Sequence, residues 1–493
     1  MNILLIYPKY PDTFWSFRHA LKFISKKAVN PPLGIITVSA MLPEKWTKKL
    51  VDLNIQKLRK KCIEWADLVF ISAMSIQTKS VKETIKRCKS LNKIVVAGGP
   101  LFTESAENFP EVDHFILNEA ELTLPQFLDD LKQGSPKQKY SSTEFADITK
   151  TPLPDYSLIK LSKYNTLNLQ FTRGCPFNCD FCDITALLGH KVRTKTPNQV
   201  ISELETIYQT GWRKNIFFVD DNFIGNKKIL KNQLLPQMIS WMDERNHPFT
   251  FTTEVSINLA DDETLLRLMT AAGFSSVFVG IETTDEKSLA ECDKSQNINR
   301  NLVDSVKSIQ NHGIEVSGGF ILGFDNDTTK VFQDQIDFIQ QTGIISAMVG
   351  LLNAPKKTRL YKRLKNEGRI TQEISGDNTD FSLNFKPKMD KTLLINGYKK
   401  VIRGIYGGKE YYSRVLSFIK RFSPTRKHKQ SLGFLYIIAF IKSFIKLGLV
   451  DKYRIHYWKL LFWTIKNKPR LFPLAITYSV YGFHFRKVFK NVL

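Results

Sequence analysis

The sequence predicts an α/β protein in three consecutive parts. An N-terminal Rossmann-like, doubly wound parallel sheet is followed by a partial, TIM-like (β/α)6 barrel and then by a mostly helical C-terminal region. Three observations support this. Five apolar runs alternate with helix-like stretches over the first 130 residues, six further strand-plus-helix units follow, and the last part of the chain turns basic and helical in period. A chain of 493 residues has room for about three such domains.

The N-terminal runs are "NILLIY", "KLVDLN", "DLVFISA", "KIVVAGG" and "DHFILNE", separated by turn signals and stretches such as "SVKETIKRCKSL". In an open parallel sheet, ligands bind at the carboxyl ends of the strands, which places Pro8, Ser72, Gly98, Gly99, Pro100 and Glu119 around one crevice. The connection after the first strand, residues 8–33, is unusually long and carries Phe14, Trp15, Phe17 and the pair Pro31 and Pro32. Such lengths mark functional or disordered loops, and the aromatic content argues against disorder. No G-x-G-x-x-G follows the first strand, so a nicotinamide or flavin dinucleotide site has little support. Gly98 and Gly99 alone are a poor signal, since two adjacent glycines after a buried strand are more often just a tight turn.

Residues 135–160 form a polar, proline-bearing connection, expected to be the linker between a first domain at 1–134 and a barrel at 161–354. The barrel strands are expected near "NTLNLQF", "NIFFVDD", "FTFTTEV", "SVFVGIE", "VSGGFILGF" and "SAMVGLLNA". Barrel chemistry sits at the carboxyl ends of the strands. That rule selects a cysteine loop after the first strand, Asp220, Asp221 and Asn222 after the second, Glu254 and Ser256 at the third, and Glu282 at the fourth. Gly323 and Phe324 follow the fifth, and Asn353 the sixth. One acid at a strand end is often just a helix cap, but carboxylates at three successive strand ends are harder to dismiss.

Beyond residue 355 a helical, basic domain is expected to about 425, and residues 426–493 read as a tail of basic amphipathic helices. Residues 413–493 hold seventeen Lys or Arg against the single acid Asp451, which is +16 of the formal +24. Such a tail suits an anionic lipid surface or a nucleic acid, and a solvated basic cap is the plainer alternative. The most apolar stretch, "SLGFLYIIAFIKSFIKLGLV", is interrupted by Lys442 and Lys446, so no membrane span is predicted. With six cysteines and a short apolar run in "MNILLIYPKY", a disulfide scaffold and a secretory signal are not expected, and a reducing, cytoplasmic setting is.

Half of those cysteines fall in eight residues of "RGCPFNCDFCD": Cys175, Cys179 and Cys182. Zinc would need a fourth ligand, such as His190 or an Asp, because no second cysteine pair exists. Three inert core thiols fit poorly in a loop of Pro, Asn, Asp and Gly. An iron–sulfur cluster on three thiolates would leave one iron open to a substrate or cofactor. Cys62, Cys88 and Cys292 show no ligand spacing and read as ordinary thiols.

The C-x3-C-x2-C spacing, with Phe181 before the last cysteine, resembles the signature of the radical S-adenosylmethionine enzymes. That resemblance implies a [4Fe–4S] cluster on Cys175, Cys179 and Cys182, with S-adenosylmethionine on its open iron as the source of a 5′-deoxyadenosyl radical. It also implies cofactor contacts for the strand-end residues. Asp220, Asp221 and Asn222 resemble the segment that holds the methionine amino group, Glu254 and Ser256 the ribose-side contacts, and Glu282 a contact to the remaining cofactor or substrate. A Rossmann-like domain before such a barrel resembles the cobalamin-dependent class, with "NPPLGIITVSAMLP", "ISAMSIQ", "AGGP" and "NEAE" as corrinoid-side segments. Pro8, Trp15, Pro32, Ser72, Gly98, Gly99 and Glu119 are the cobalamin-side candidates that follow. No histidine has Asp two places before it, so the D-x-H-x-x-G lower-ligand motif is absent and cobalamin is expected without that ligand. Through "LLNAPKKTRLYKRLKNEGRI", "GDNTDFSLNFKPKMD" and "GYKKVIRGIYGGKEYYSRVL" the resemblance extends to the branch that includes the hopanoid C-2 methylase, covering about residues 1–425. The expected activity is C-methyl transfer to an unactivated carbon of a small molecule or lipid, served by a low-potential electron donor, with peripheral membrane contact through the tail. Cyclisation or oxidation without methyl transfer, and RNA modification, are the alternatives; a nucleic-acid partner is not expected.

Overall fold

A computed structural model describes residues 1–377, 380–424 and 434–493. The first sheet contains β1 (Asn2–Tyr7), β2 (Thr47–Asp52), β3 (Leu68–Ser72), β4 (Ile94–Gly98), β5 (His114–Ile116) and β6 (Lys139–Tyr140). They are parallel in the order β2-β1-β3-β4-β5-β6. Ile3, Leu4, Leu5 and Ile6 of β1 are all fully buried, as a run without alternation should be when helices cover both faces. The chain leaves β1 to one side for β2 and returns on the other for β3. The switch point therefore lies between β1 and β3, just beyond Pro8 and Ser72.

The second sheet begins with β7 (Leu167–Leu169). A two-stranded antiparallel ribbon of β8 (Thr172–Arg173) and β9 (Arg193–Thr194) brackets the cysteine loop. The sheet continues through β10 (Asn215–Phe218), β11 (Thr250–Val255), β12 (Phe274–Glu282), β13 (Glu315–Leu322) and β14 (Ala347–Leu351). Its parallel order, β14-β13-β12-β11-β10-β7, follows the sequence strand by strand, as the six expected units require. Along β11, Thr253 and Val255 are buried while Thr252 and Glu254 on the other face are only partly so. On the same face a Cβ on Gly319 of β13 would lie 2.8 Å from Phe278 Cζ of β12, so the glycine makes space for that ring.

Two regions differ from expectation. Residues 135–160 are not a bare linker. They supply β6 and bury Ala146, Ile148, Tyr156 and Ile159, and the Tyr156 hydroxyl donates to Asn168 O at 2.9 Å. These apolar residues come singly among polar ones, so they leave no periodic signal.

The expected tail of basic amphipathic helices keeps an exposed, basic side over residues 437–467 but ends in a helix that is largely buried. The last helix, Phe472–Val488, buries Ala475, Tyr478, Phe483, His484 and Phe485, so it is apolar on most of its circumference. It packs on the connection after β1, which forms a turn at Phe14–Ser16 and a short helix at Arg18–Leu21. Phe485 stacks on Phe14 at 4.4 Å and lies 4.7 Å from Tyr406, and His484 Nε2 is 2.9 Å from Phe14 O. Burial pushes the His484 imidazole down to about 4, so it stays neutral there. Residues 426–433 of the expected tail, and residue 425 before it, lie outside the described residues.

Because Phe485 joins the end of the chain to its beginning, Phe485→Ala is expected to cost about 3–5 kcal/mol. Equilibrium denaturation checks this; an unchanged midpoint would make the last helix a dispensable cap.

Candidate functional site

The carboxyl edges of the two sheets are held against each other by a buried ion cluster. Glu119, at the end of β5, accepts from Arg173 Nη1 at 2.7 Å, from Arg193 Nη1 at 2.8 Å and from Ala146 N at 2.7 Å. Arg173 also pairs with Glu121 at 2.8 Å. Burial pushes the Glu121 carboxyl up, but the Arg173 charge and hydrogen bonds from Arg173 and Thr151 outweigh it and hold it below the usual range. The Glu119 carboxylate, at the strand edge where the cofactor crevice is expected, joins the two halves. A second link is the Tyr164 hydroxyl, which donates to buried Asp52 Oδ2 at 2.7 Å.

Arg173 leads directly into the cysteine loop. Gly174 has φ +90°, and a Cβ there would lie 2.8 Å from both Gly189 O and Lys191 O, so only glycine turns the chain at this point. Behind the loop, the fully buried Asp220 carboxylate accepts from the backbone N–H groups of Phe171 and Thr172. Burial nevertheless pushes Asp220 up to about 6. Asp220 thus shapes the approach to the loop. On the far side Asp180 N donates to Cys292 O at 3.0 Å, Leu360 N donates to Asp180 O at 2.9 Å, and Phe181 meets the Phe324 ring edge-on at 6.2 Å.

Burial pushes the thiols of Cys175, Cys179 and Cys182 up, and the Lys294 charge draws each back. Lys294 pairs with Glu282 Oε1 at 2.7 Å. Burial disfavours its charge, but Glu282 and Cys179 outweigh this and keep it protonated. Gln296 Nε2 is 3.8 Å from Cys179 Sγ, while its buried Oε1 has no partner. Lys294 and Gln296 escape sequence reasoning because they sit in an irregular turn with no period to mark them. Among the described residues no three His, Cys, Asp or Glu are gathered as around a single ion. A cubane asks for a different arrangement, since its three thiolates bind three different irons. The three partly exposed thiols beside a cation, with an unpartnered amide oxygen, fit such a cluster and a polar molecule next to it.

Asp221 and Glu254 give the site its charge. Burial, followed by the charges of Asp220 and Asp183, pushes Asp221 up to about 7. Burial, Asp221 and Asp220 push Glu254 up to about 8. Carboxyls that repel one another in a desolvated space are suited to receive a positive charge. Asn222 and Ser256 are buried and bound to each other, Asn222 Oδ1 accepting from Ser256 N at 3.2 Å, so they fix the strand ends.

On the other side, Pro8 O accepts from Gln77 Nε2 at 2.5 Å, tying β1 to the segment after β3. A Cβ on Gly98 would lie 2.7 Å from Ile116 O, and Gly99 has φ +93°, so local backbone geometry already favours glycine at both positions. Pro32 is buried and precedes the helix Leu33–Met41, while Pro31 O accepts from Asn168 Nδ2 of β7 at 3.0 Å. Trp15 meets Phe278 edge-on at 5.4 Å, reaching from the first half into the barrel. Trp15 and Met74 remain 42% and 49% exposed beside the switch point, an apolar setting that fits a broad flat ring system.

Three family models match the chain. The B12 binding domain matches residues 24–128, the radical SAM superfamily residues 169–339, and a domain of unknown function (DUF4070) residues 358–493. An uncharacterized methyltransferase of Synechocystis sp. is 38% identical over 98% of this chain and 91% of its own length. The hopanoid C-2 methylase of Rhodopseudomonas palustris is 31% identical over 93% of this chain and 88% of its own. The chain belongs to the cobalamin-dependent radical S-adenosylmethionine methyltransferases. Its fold is also that of the radical S-adenosylmethionine methyltransferase TsrM from Kitasatospora setae, solved with cobalamin and a [4Fe–4S] cluster. The TM-score is 0.61 at 13% identity, covering 99% of both chains. As a member of this family it is an enzyme that uses a [4Fe–4S] cluster, S-adenosylmethionine and cobalamin. The likeness runs through the C-terminal helices, past the limit near residue 425 that motifs alone suggested.

Glu254 provides a test of the acid-rich site. In the folded protein it keeps a proton that the unfolded chain releases near 4.5, so its contribution to stability falls between pH 4.5 and about 8 and is level above. Glu254→Gln removes this loss. In thermal denaturation of the cofactor-free protein, the variant's advantage should grow across that window and then stay constant. An advantage independent of pH would refute the shifted carboxyl.

Proposed function

We propose that this enzyme transfers a methyl group to an unactivated carbon of a lipid, of the polycyclic isoprenoid type, while in peripheral contact with a membrane. Cys175, Cys179 and Cys182 hold the cluster. Asp221 and Glu254 meet the positively charged part of S-adenosylmethionine, with Gln296 and the Glu282–Lys294 pair completing that wall. The crevice of Pro8, Ser72, Gly98, Gly99, Met74 and Trp15 takes cobalamin. When bound, these groups supply a carbon-centred radical and a transferable methyl group.

The chain's own residues then have three tasks. The loop pinned by Gly174, Asp220 and Arg173 fixes the thiols relative to the acids. The Glu119 cluster fixes the distance between the two edges, which decides whether a substrate carbon can reach both cofactors. Trp15 and Phe278 present an apolar wall that excludes water from the space where a radical must survive.

The observation that carries this reading is a convergence: the thiol loop and the acid pair end one sheet, and Glu104, which accepts from Ser75 Oγ after β3 of the other at 3.2 Å, lies against Asp183 beside Cys182. The lipid substrate is supported by the 31% identity with the hopanoid C-2 methylase, whose name specifies a hopanoid. A low-potential electron donor follows from the cluster's chemistry.

The test is anaerobic reconstitution with iron, sulfide and hydroxocobalamin. Native protein should hold about four irons and one corrinoid, and the Cys175→Ala/Cys179→Ala/Cys182→Ala variant should lose iron and keep corrinoid. Incubation with methyl-labelled S-adenosylmethionine and a lipid extract should then move label into an apolar product. Release of 5′-deoxyadenosine without labelled product would favour cyclisation or oxidation.

A further inference from the structure

We infer that the helical hairpin of residues 434–467 is a docking surface for an anionic lipid bilayer, which it enters to interfacial depth without crossing. The hairpin runs through the helix Phe434–Ser443 and the turns Phe444–Val450, reverses at Asp451, and returns as the helix Arg454–Asn467. Its inner side is anchored: Leu447, Tyr457, Leu460 and Leu461 are buried, and the Ser443 and Tyr457 hydroxyls lie 3.0 Å apart.

Its outer side is apolar. Ile437, Ile441, Ile445 and Leu449 repeat every fourth residue along one stripe and are 52–56% exposed. On the returning helix Ile455, Phe462 and Ile465 are 50–65% exposed. Trp458 joins the two stripes, edge-on to Phe444 at 5.3 Å and stacked on Phe462 at 5.5 Å. Contiguous exposed apolar surface of this kind marks an interaction site rather than ordinary surface.

Charge decides what covers it. Exposed Lys446, Lys452, Arg454, Lys459, Lys466 and Arg470 surround the stripes. The single acid of residues 413–493, Asp451, is held 3.3 Å from Arg486 Nη2. A second copy of this chain would set two basic rims against each other. A nucleic acid would satisfy the cations but leave Ile441, Ile445, Leu449 and Val450 in water. An anionic bilayer receives both, aliphatic residues among the acyl chains and lysines at the headgroups. Among the described residues no helix is long and apolar enough to cross a membrane, in keeping with a surface-lying hairpin.

The hairpin is also wired to the site. Lys442 Nζ donates to Lys22 O and to Ser25 Oγ, both at 3.0 Å, in the connection that carries Trp15 into the barrel. Docking therefore places the bilayer beside the segment that lines the proposed lipid site. This deepens the peripheral contact proposed above, and because binding is measured without turnover, failure of docking and failure of lipid methylation are distinguishable.

The experiment is flotation of the full-length protein with phosphatidylcholine vesicles, plain or with about one-third phosphatidylglycerol. Native protein should float with the anionic vesicles and much less with the plain ones. Leu449→Asp/Phe462→Asp should weaken flotation by about tenfold or more at unchanged melting temperature, and Lys452→Glu/Lys459→Glu should weaken it at low salt and leave a shallower dependence on salt than the native protein shows. Flotation unaffected by Leu449→Asp/Phe462→Asp would reduce the contact to bare electrostatics and overturn the proposal. So would a native dimer in sedimentation velocity that the same pair of substitutions dissociates.

Discussion

Glu119 and its two arginines are the constraint on which the site depends. Burying a carboxylate is costly unless hydrogen bonds replace the water it loses, and here Arg173, Arg193 and a backbone amide do so. Such a cluster adds little to stability over a well-packed apolar contact, but breaking it leaves unpaired charges and costs about 3–5 kcal/mol. Its geometry is therefore specified sharply. Arg173 stands two residues before Cys175, so whatever orients the arginine also orients the first thiol. The same contact fixes the carboxyl edge of the first sheet relative to the barrel mouth.

The electrostatics of the mouth are divided by a similar logic. Lys294 faces the thiols, where it favours thiolate, and is itself kept charged by Glu282. Asp221 and Glu254 have no comparable partner and are pushed towards neutrality. A site that compensates one set of acids and leaves another uncompensated is arranged for two different ligands. The compensated side suits thiolates on a cluster, and the uncompensated side suits a cation.

How much of this was legible in the sequence follows from what leaves a local pattern. Strands buried on both faces leave apolar runs, so five strands of the first sheet and all six of the barrel could be placed, while two-residue β6 could not. The cysteine loop and the strand-end acids were legible because barrel topology assigns chemistry to those positions. Asp220, Asn222 and Ser256 were found by the same rule, and only the contacts reveal that Asp220 also binds the backbone and that Asn222 and Ser256 bind each other. Lys294 and Gln296 were missed because a turn has no period. The last helix was misjudged because the basic excess of residues 413–493 as a whole was extended to it, although it carries only Arg486 and Lys487, and Tyr478, Phe483 and Phe485 decide the packing.

The connection after β1 brings these levels together. Phe14 is buried against Phe485, while its neighbour Trp15 turns the other way to meet Phe278 inside the barrel. Lys442 grips the same connection from the hairpin side. A segment held at three points by three different parts of the chain is a strut rather than a mobile lid, and its length reflects the distance it spans. If Phe14 is fixed by stacking, Trp15 can move only about its own side-chain torsions, so the opening it leaves lies on its exposed side. A lipid drawn from a surface-bound hairpin would then reach the barrel past an indole ring, without requiring the two sheets to separate or the Glu119 cluster to break.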